Sequence, residues 1–362
     1  VRALLPPVVG DAGTLDVARH AVVWRPERRS EDSWASAAAD AFRGAGFVVV
    51  LGALSEEACE EVLRACHDME REMLRHDPER LGCRDPGRYS FGAAAQSGAL
   101  LHLPAWRHLL DCEAVLAVLD AALPAGWHFT GGGGDFVRGG TENFQALHSD
   151  LGPSRVPPGQ RADWPPPKVA VNFSVQRIDT AAFGPMRALP ARKTLELGQQ
   201  PPPFAGESDH SRRSTLFPLP AGAAVLRDLR VWHGGTPNLT AETRFLPNVE
   251  LVSAEYAAHL DGPHSFAPHA PCRPCGAAGC ALPARDGPSA GKVLCPLLFA
   301  ALSAPCQRRC ARALAAESSD VPRGIRPGFA RLQRTWLKGS GRGRGGGRAG
   351  AAGARGGRRR GA

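Results

Sequence analysis

The residues with the clearest capacity for chemistry lie in Gln145-Ala146-Leu147-His148-Ser149-Asp150. On a strand, residues two apart project to the same face, so His148 and Asp150 would point together into one interior. An imidazole and a carboxylate so placed offer two adjacent positions on a metal ion. Two histidines and one carboxylate, with open positions beside them, form the donor set of non-haem iron(II) oxygenases. A lone His-x-Asp is common by chance and is then structural, so a third donor has to be found.

His233 is that donor. Gly222 to Trp232 reads as a buried strand that His233 ends, and Gly234-Gly235-Thr236-Pro237-Asn238 supplies turn chemistry. A new strand begins near Thr243 and carries Arg244. In an antiparallel pair joined by that turn, Arg244 lies beside His233. A guanidinium in a buried pocket suits bidentate binding of a carboxylate. Taken alone, His233 reads as a satisfied core histidine and Arg244 as a surface ion pair. Their order and spacing join them to His148 and Asp150 as three metal ligands and one anion clamp.

These segments resemble the phytanoyl-CoA dioxygenase (PhyH-like) family of iron(II)/2-oxoglutarate oxygenases, over a span from about Phe42 to Tyr256. Gly46 to Ser55 is similar to the family's N-terminal strand and following helix, and Gln145 to Asp150 to its Gln-x-x-His-x-Asp segment. Ile178-Asp179-Thr180, Gly184-Pro185-Met186-Arg187 and Pro190 resemble the stretch usually read as Asn-Gly-Pro and Pro-Gly-Ser-His. The most specific match runs from Asp228-Leu229-Arg230-Val231-Trp232-His233 to Asn238, with Arg244 eleven residues after the second histidine, as in the family. The departures are Phe183 and Ala191-Arg192-Lys193, at positions that shape the pocket rim in the family.

The resemblance implies a mainly β fold: a double-stranded β-helix, or jelly-roll (cupin-like) barrel, flanked by N-terminal helices. It implies iron(II) on His148, Asp150 and His233, with 2-oxoglutarate held by Arg244. Oxygen is then the other co-substrate, ascorbate a possible reductant, and a small organic or acyl substrate is hydroxylated with release of succinate and carbon dioxide. Gln145 and Asn172, on strands facing the cavity, and Thr240, in the turn after His233, are further candidates for co-substrate contact. A structural hydrogen bond is the alternative role for each. Halogenation is disfavoured because Asp150 fills the carboxylate position that halogenases of this type leave open for chloride.

The elements that must position these residues are legible in outline. Residues 1–30 read as an irregular lead-in. Trp34 to Phe42 is helix-prone, and Gly46 to Leu51 carries a buried-strand signal. Ser55 is a candidate N-cap, with Glu56 and Glu57 in the first turn. Ala58, Val62, Cys66, Met69 and Met73 recur at helical spacing, predicting one face of a helix to about Arg75. Leu109 to Leu123 carries a second helical pattern. Short runs at 127–130, 143–148, 168–178, 222–233 and 243–253, divided by Gly and Pro, suggest an all-β barrel or sandwich. Gly131 to Gly134 lacks a following Gly-Lys-Ser/Thr, which excludes a phosphate loop and leaves a turn. The Pro-rich connections 152–167 and 191–214 are candidates for the substrate mouth.

The chain has 362 residues and a formal net charge of +9. Seven arginines and no acid lie between Gly339 and Ala362, which leaves 37 basic against 35 acidic residues elsewhere. The body is near neutral, so charge gives no support to a nucleic-acid function for the whole chain. Four parts are expected: a lead-in at 1–30, the oxygenase domain at 31–257, a Cys/Pro/Ala-rich region at 258–338 with one helix over Val293 to Glu317, and a disordered Gly/Arg tail at 339–362. Cys272, Cys275, Cys280 and Cys295 with His264 and His269 form a weak zinc candidate, since no second paired motif follows. The cysteine distribution and chain size favour a reducing compartment and a cytoplasmic monomer without a membrane span. Two alternatives stay open: a non-catalytic jelly roll, and a polyanion- or RNA-binding protein acting through the tail.

Overall fold

Two β-sheets face one another, and a layer of helices covers the outer side of the larger sheet. A computed structural model describes residues 13–14, 21–24, 32–78, 80, 86–92, 101, 103–151, 165–189, 214–261, 294 and 296–313. The strands are β1 (Gly13–Thr14), β2 (Ala21–Val23), β3 (Phe47–Leu51), β4 (Arg88–Gly92), β5 (His128–Val137) and β6 (Lys168–Ser174). They continue with β7 (Met186–Ala188), β8 (Thr215–Phe217), β9 (Ala223–Asp228), β10 (His233–Gly235) and β11 (Arg244–Val252). The larger sheet runs β2-β3-β9-β6-β11-β5-β4 and the smaller β1-β8-β7-β10. Most pairs are antiparallel; β2–β3 and β1–β8 are parallel. The architecture is the mainly β, helix-flanked one expected. The lead-in is not wholly irregular, however, because β1 and β2 each extend a sheet edge.

Alternation along the strands separates the two faces of the larger sheet. Val48, Val50, Val169, Val171, Phe173, Ala224, Leu226, Phe245 and Val249 pack with the helices. Phe47, Val49, Ala223, Val225 and Leu246 turn the other way, to meet Met186, Ala188 and Phe217 of the smaller sheet. By the same parity Arg88, Ser90, Asp135, Asn172, Arg227, Arg244 and Asn248 face the space between the sheets. The inner wall is therefore apolar at one end and polar at the other.

The helices follow their sequence signals. Helix α1 spans Asp32–Ala45 and α2 Glu56–His76. Ser55 caps α2, its Oγ accepting from Ala58 N at 3.2 Å, with Glu56 and Glu57 in the first turn. The expected face of Ala58, Val62, Cys66, Met69 and Met73 is buried in the main core. The Leu109–Leu123 pattern is not one helix. A 3-10 turn at Pro104–Trp106 leads into α3 (Arg107–Leu110) and then α4 (Glu113–Ala122). The break falls at Asp111, whose carboxylate accepts from Ser303 N at 2.7 Å. The apolar periodicity survives because both pieces cover the same core.

After α5 (Ala254–Asp261), the single helix expected over 293–317 is likewise divided, into α6 (Pro296–Ala300) and α7 (Ala304–Cys310). Pro305 is the reason: its ring fits the first turn of a helix and clashes inside one. Ser303 caps α7, and Leu302, Cys306, Cys310 and Ala313 complete the main core. Cys59, Cys66, Cys112, Cys306 and Cys310 are free and buried. The zinc candidates Cys272, Cys275, Cys280, Cys295, His264 and His269 lie outside the described residues. So do the Gly/Arg tail and nearly all of both Pro-rich connections. No helix among the described residues is long and apolar enough to cross a membrane.

The expected turn at Gly131 to Gly134 is instead the middle of β5, paired with β11 on one side and reaching β4 on the other. Close approach explains the glycines. A Cβ on Gly132 would lie 2.7 Å from Leu101 Cδ2 and 2.9 Å from Trp106 Cδ1. Trp106 donates from Nε1 to Asn248 O at 3.2 Å. A Cβ on Gly134, whose φ is 155°, would lie 2.5 Å from Leu246 O.

Candidate metal centre

The segment before Asp150 is not the expected strand over 143–148. It is an irregular hook on the free edge of β10, held by an isolated bridge between His148 and His233. His148 N donates to His233 O, and His233 N to His148 O, both at 2.9 Å. Gln145 N donates to Gly235 O at 2.9 Å. Ser149 Oγ ties the end of the hook to Leu151 O at 2.9 Å and Leu229 O at 3.1 Å. Arg187, 2 % exposed, reinforces it by donating from Nη2 to Gln145 O at 3.0 Å, its guanidinium over the Phe144 ring at 5.3 Å. Polar clamps on a short run set this geometry, where a ladder was expected.

His233 was expected to end a strand; it begins one. β9 stops at Asp228, and the chain turns through 229–232 before β10. Arg230 stabilises that turn through a buried pair with Asp228, Nη2 to Oδ2 at 2.7 Å. The expected pairing of His233's strand with that of Arg244 is also corrected. β10 pairs with β7 in the smaller sheet, and β11 pairs with β5 and β6 in the larger. The chain from 236 to 243 crosses between sheets, because Asn238 anchors it with Nδ2 bonds to Val137 O at 2.9 Å and Glu242 O at 2.7 Å. Arg244 and His233 therefore look at one interior from facing walls.

The ligand atoms of His148, Asp150 and His233 all lie within 4.8 Å of one another, the sole such group among the described residues. His148 Nε2 is 3.5 Å from Asp150 Oδ1, and His233 Nε2 is 3.4 Å from Asp150 Oδ2. Each imidazole has Nδ1 beside the carbonyl two residues upstream: His148 with Ala146 O at 2.9 Å, His233 with Val231 O at 3.1 Å. A carbonyl only accepts, so at His148 the proton sits on Nδ1 and the Nε2 lone pair is left for a metal; Nδ1 of His233 lies 3.1 Å from the Val231 carbonyl and 3.1 Å from Arg227 Nη1. Burial, then the charge of Arg227, push His233 well below the usual imidazole range, against the pull of Asp150. The ring is neutral at pH 7, as a ligand must be. Burial alone would push the Asp150 carboxyl up; His233 and Arg227 outweigh it and hold the group well below the usual carboxylate range. With His233 neutral, Arg227 is the cation responsible.

Arg244 is 2 % exposed, and its Nε and Nη1 have no hydrogen-bond partner among the described residues. Burial and the neighbouring Arg88 push its guanidinium down to about 10, with Asp135 opposing. It remains charged at neutral pH. Arg88 links this cation to the end of β10: it donates from Nη2 to Thr236 O at 2.7 Å, and its Nη1 lies 2.5 Å from where a Cβ on Gly235 would stand. An isolated buried cation is costly, so orphaned donors here fit an anion brought by a ligand. The donor set and the two orphaned nitrogens of this guanidinium together fit iron(II) and a dicarboxylate.

The remaining sequence candidates are placed differently. Gln145 Oε1 accepts from Gly235 N at 3.0 Å, so its amide helps hold the hook. Thr240 Oγ1 donates to Asn238 Oδ1 at 2.8 Å within the crossing turn. Asn172 faces the interior with Oδ1 unpartnered, directly across the β6–β11 ladder from Asn248, whose Oδ1 is also unpartnered. Phe183 packs in the core between the sheets and bridges to Asn238.

Sequence reasoning gave no role to Arg88, Arg187, Arg227 or Asn248. Arg227 had a signal: it shares strand parity with Ala223 and Val225, so a charged group was due to face inward. Arg88 follows a stretch with no strand signature, and its position was not legible.

No curated protein matches the chain. Among solved structures, the epimerase SnoN in complex with Fe3+, alpha ketoglutarate and nogalamycin RO is 15% identical, with 64% of this chain and 85% of that one covered and a TM-score of 0.47. The non-heme monooxygenase ThoJ is 19% identical, with 59% and 76% covered and a TM-score of 0.43. HygX from Streptomyces hygroscopicus, with nickel and 2-oxoglutarate bound, is 17% identical, with 59% and 84% covered and a TM-score of 0.40. The family model for phytanoyl-CoA dioxygenase (PhyH) matches residues 42–246, more than half of the chain, which therefore belongs to that family of 2-oxoglutarate-dependent oxygenases.

Proposed function

We propose that this chain hydroxylates a small organic or acyl substrate in a reaction that consumes oxygen and 2-oxoglutarate and releases succinate and carbon dioxide. The observation that carries the reading is three ligand atoms within 4.8 Å of one another and, on the facing sheet, a buried arginine whose Nε and Nη1 have no hydrogen-bond partner among the described residues. Iron(II), when bound with 2-oxoglutarate and oxygen, supplies the oxidising chemistry. His148, Asp150 and His233 would hold the metal through three positions on one side and leave the others open. Arg244 would grip the far carboxylate of 2-oxoglutarate with Nε and Nη1, fixing its direction in the barrel. Asn172 and Asn248, on the same wall, offer carboxamides toward the bound molecules. Phe183, Met186, Phe217 and Leu246 line the apolar end and exclude water. Gln145 and Thr240 would act one step back, by holding the hook and the crossing turn.

The test is anaerobic titration of the protein with iron(II) and 2-oxoglutarate. A visible metal-to-ligand charge-transfer band is expected, and His148→Ala and His233→Ala should lack both the band and succinate release. A folded wild-type protein that gives neither would leave the non-catalytic jelly roll as the better reading.

A further inference from the structure

Arg227 sits on β9 next to the metal ligands, and the reading above assigns it no role. It is 4 % exposed. Its Nη2 donates to Asp150 Oδ2 at 2.8 Å, and Nη1 lies 3.1 Å from His233 Nδ1. Nη1 and the Val231 carbonyl both face that Nδ1, and the bond to the carboxylate is the one between opposite charges. Nε is buried and unpartnered among the described residues, so one N–H remains for another acceptor. Arg227 is thus the counter-ion of Asp150.

That arrangement has a thermodynamic consequence. A divalent ion on Asp150 must share the carboxylate with a fixed positive charge that cannot leave, which weakens binding of the metal alone. A dianionic co-substrate reverses the sign, since its charge is attracted by both the metal and Arg227. We propose that Arg227 is a positioning residue that couples the two loading steps, keeping metal affinity low until the 2-oxoglutarate dianion is present. The idea rests on the oxygenase reading. It goes beyond it by making one buried cation responsible for the coupling, which by linkage is reciprocal.

The experiment uses cobalt(II) as probe, followed by its visible bands in anaerobic full-length protein, with and without 2-oxoglutarate. Arg227→Gln keeps an N–H for Asp150 but removes the charge; Arg227→Lys keeps the charge. A unit charge roughly 5 Å from a divalent ion changes affinity by at least about tenfold, even at the dielectric of water, about 80. Arg227→Gln should therefore bind cobalt alone about ten- to a hundredfold more tightly than wild type. Its gain in cobalt affinity on adding 2-oxoglutarate should shrink by a similar factor. Arg227→Lys should stay near wild type in both. Cobalt affinity in Arg227→Gln that is unchanged or weaker, or an undiminished 2-oxoglutarate effect, overturns the proposal. If Arg227→Gln does not fold, Arg227→Lys decides: loss of the coupling there shows that fork geometry, not charge, is responsible, and overturns it too. Wild-type protein that binds neither cobalt nor 2-oxoglutarate would instead sink the oxygenase reading itself.

Discussion

Replacing Arg244 with methionine should do two opposite things, and the pair is diagnostic. In the ligand-free protein the guanidinium is a buried cation with two unpartnered N–H groups. Burial first, then Arg88, lower it from 12.5 to about 10. A base whose folded value is depressed destabilises the folded state fully at pH values below that folded value. At 1.36 kcal/mol per unit, the penalty at neutral pH is about 3 kcal/mol. Methionine keeps the apolar stem and deletes the charge. Arg244→Met should therefore raise the stability of the ligand-free protein by about 1–3 kcal/mol, seen as a Tm higher by several degrees. Binding of 2-oxoglutarate should move the other way. Hydrogen bonds to charged groups contribute about 1.5–3 kcal/mol each. Losing two weakens affinity by about a hundredfold or more, since about 1.4 kcal/mol is tenfold. Calorimetric titration with 2-oxoglutarate, beside thermal denaturation without it, reads both effects. A variant that binds 2-oxoglutarate within roughly threefold of wild type refutes the clamp. A variant whose ligand-free Tm falls sharply shows that Arg244 is a structural ion-pair member, and refutes the electrostatic reasoning with it.

Two further outcomes follow from the same structure. His233 is neutral in the folded protein and charges at about 6.5 when unfolded, so its contribution to stability is complete above that pH. It is lost as the pH falls below about 6.5, at up to about 1.4 kcal/mol per unit; denaturant titrations between pH 5 and 7.5 should show the slope in wild type and not in His233→Gln. Gly132→Val places methyl groups against Leu101 and Trp106, at contacts under 3 Å for the Cβ alone. That overpacking should cost about 1–3 kcal/mol, read as a lowered denaturation midpoint with His148, Asp150 and His233 untouched.

The start and the buried face of α2 were legible because each leaves a local pattern, whereas the helices expected over Leu109–Leu123 and 293–317 are each divided. Ser55 with Glu56 and Glu57 marks the start of α2, and the spacing from Ala58 to Met73 marks its buried face. His148, Asp150, His233 and Arg244 could be listed because few residue types bind iron or carboxylates. How they come together was not legible. The hook from Gln145 to Asp150 carries no ladder, and its shape is set by Arg187, Ser149 and the bridge to His233. All three interactions connect residues far apart in the chain. The turn after His233 has hairpin chemistry, yet it changes sheets because Asn238 finds its acceptors at Val137 and Glu242. Glycines 131–134 look like a turn until Trp106 and Leu101 are seen to lie against them. In each case a long-range contact overrode the local signal.

Where the unsatisfied groups lie gives an independent reason to place a dianion in this barrel. Buried polar atoms in native proteins are nearly always paired. Here five that are not, from Asn172, Arg227, Arg244 and Asn248, share the inward face of the larger sheet. The register fixes their order. Arg227 lies across from Ala170, Ala170 from Glu250, and Glu250 is six residues along β11 from Arg244. Asn248 and Asn172, two residues short of the Glu250–Ala170 pair, stand between the two arginines on that face. Arg227 already has Asp150 as its counter-ion, so the cation in need of an anion is Arg244. A singly charged 2-oxo acid that uses its carboxylate at the metal has none left for Arg244. 2-Oxoglutarate should therefore bind well ahead of pyruvate, and equal binding of the two would show that Arg244 receives no carboxylate.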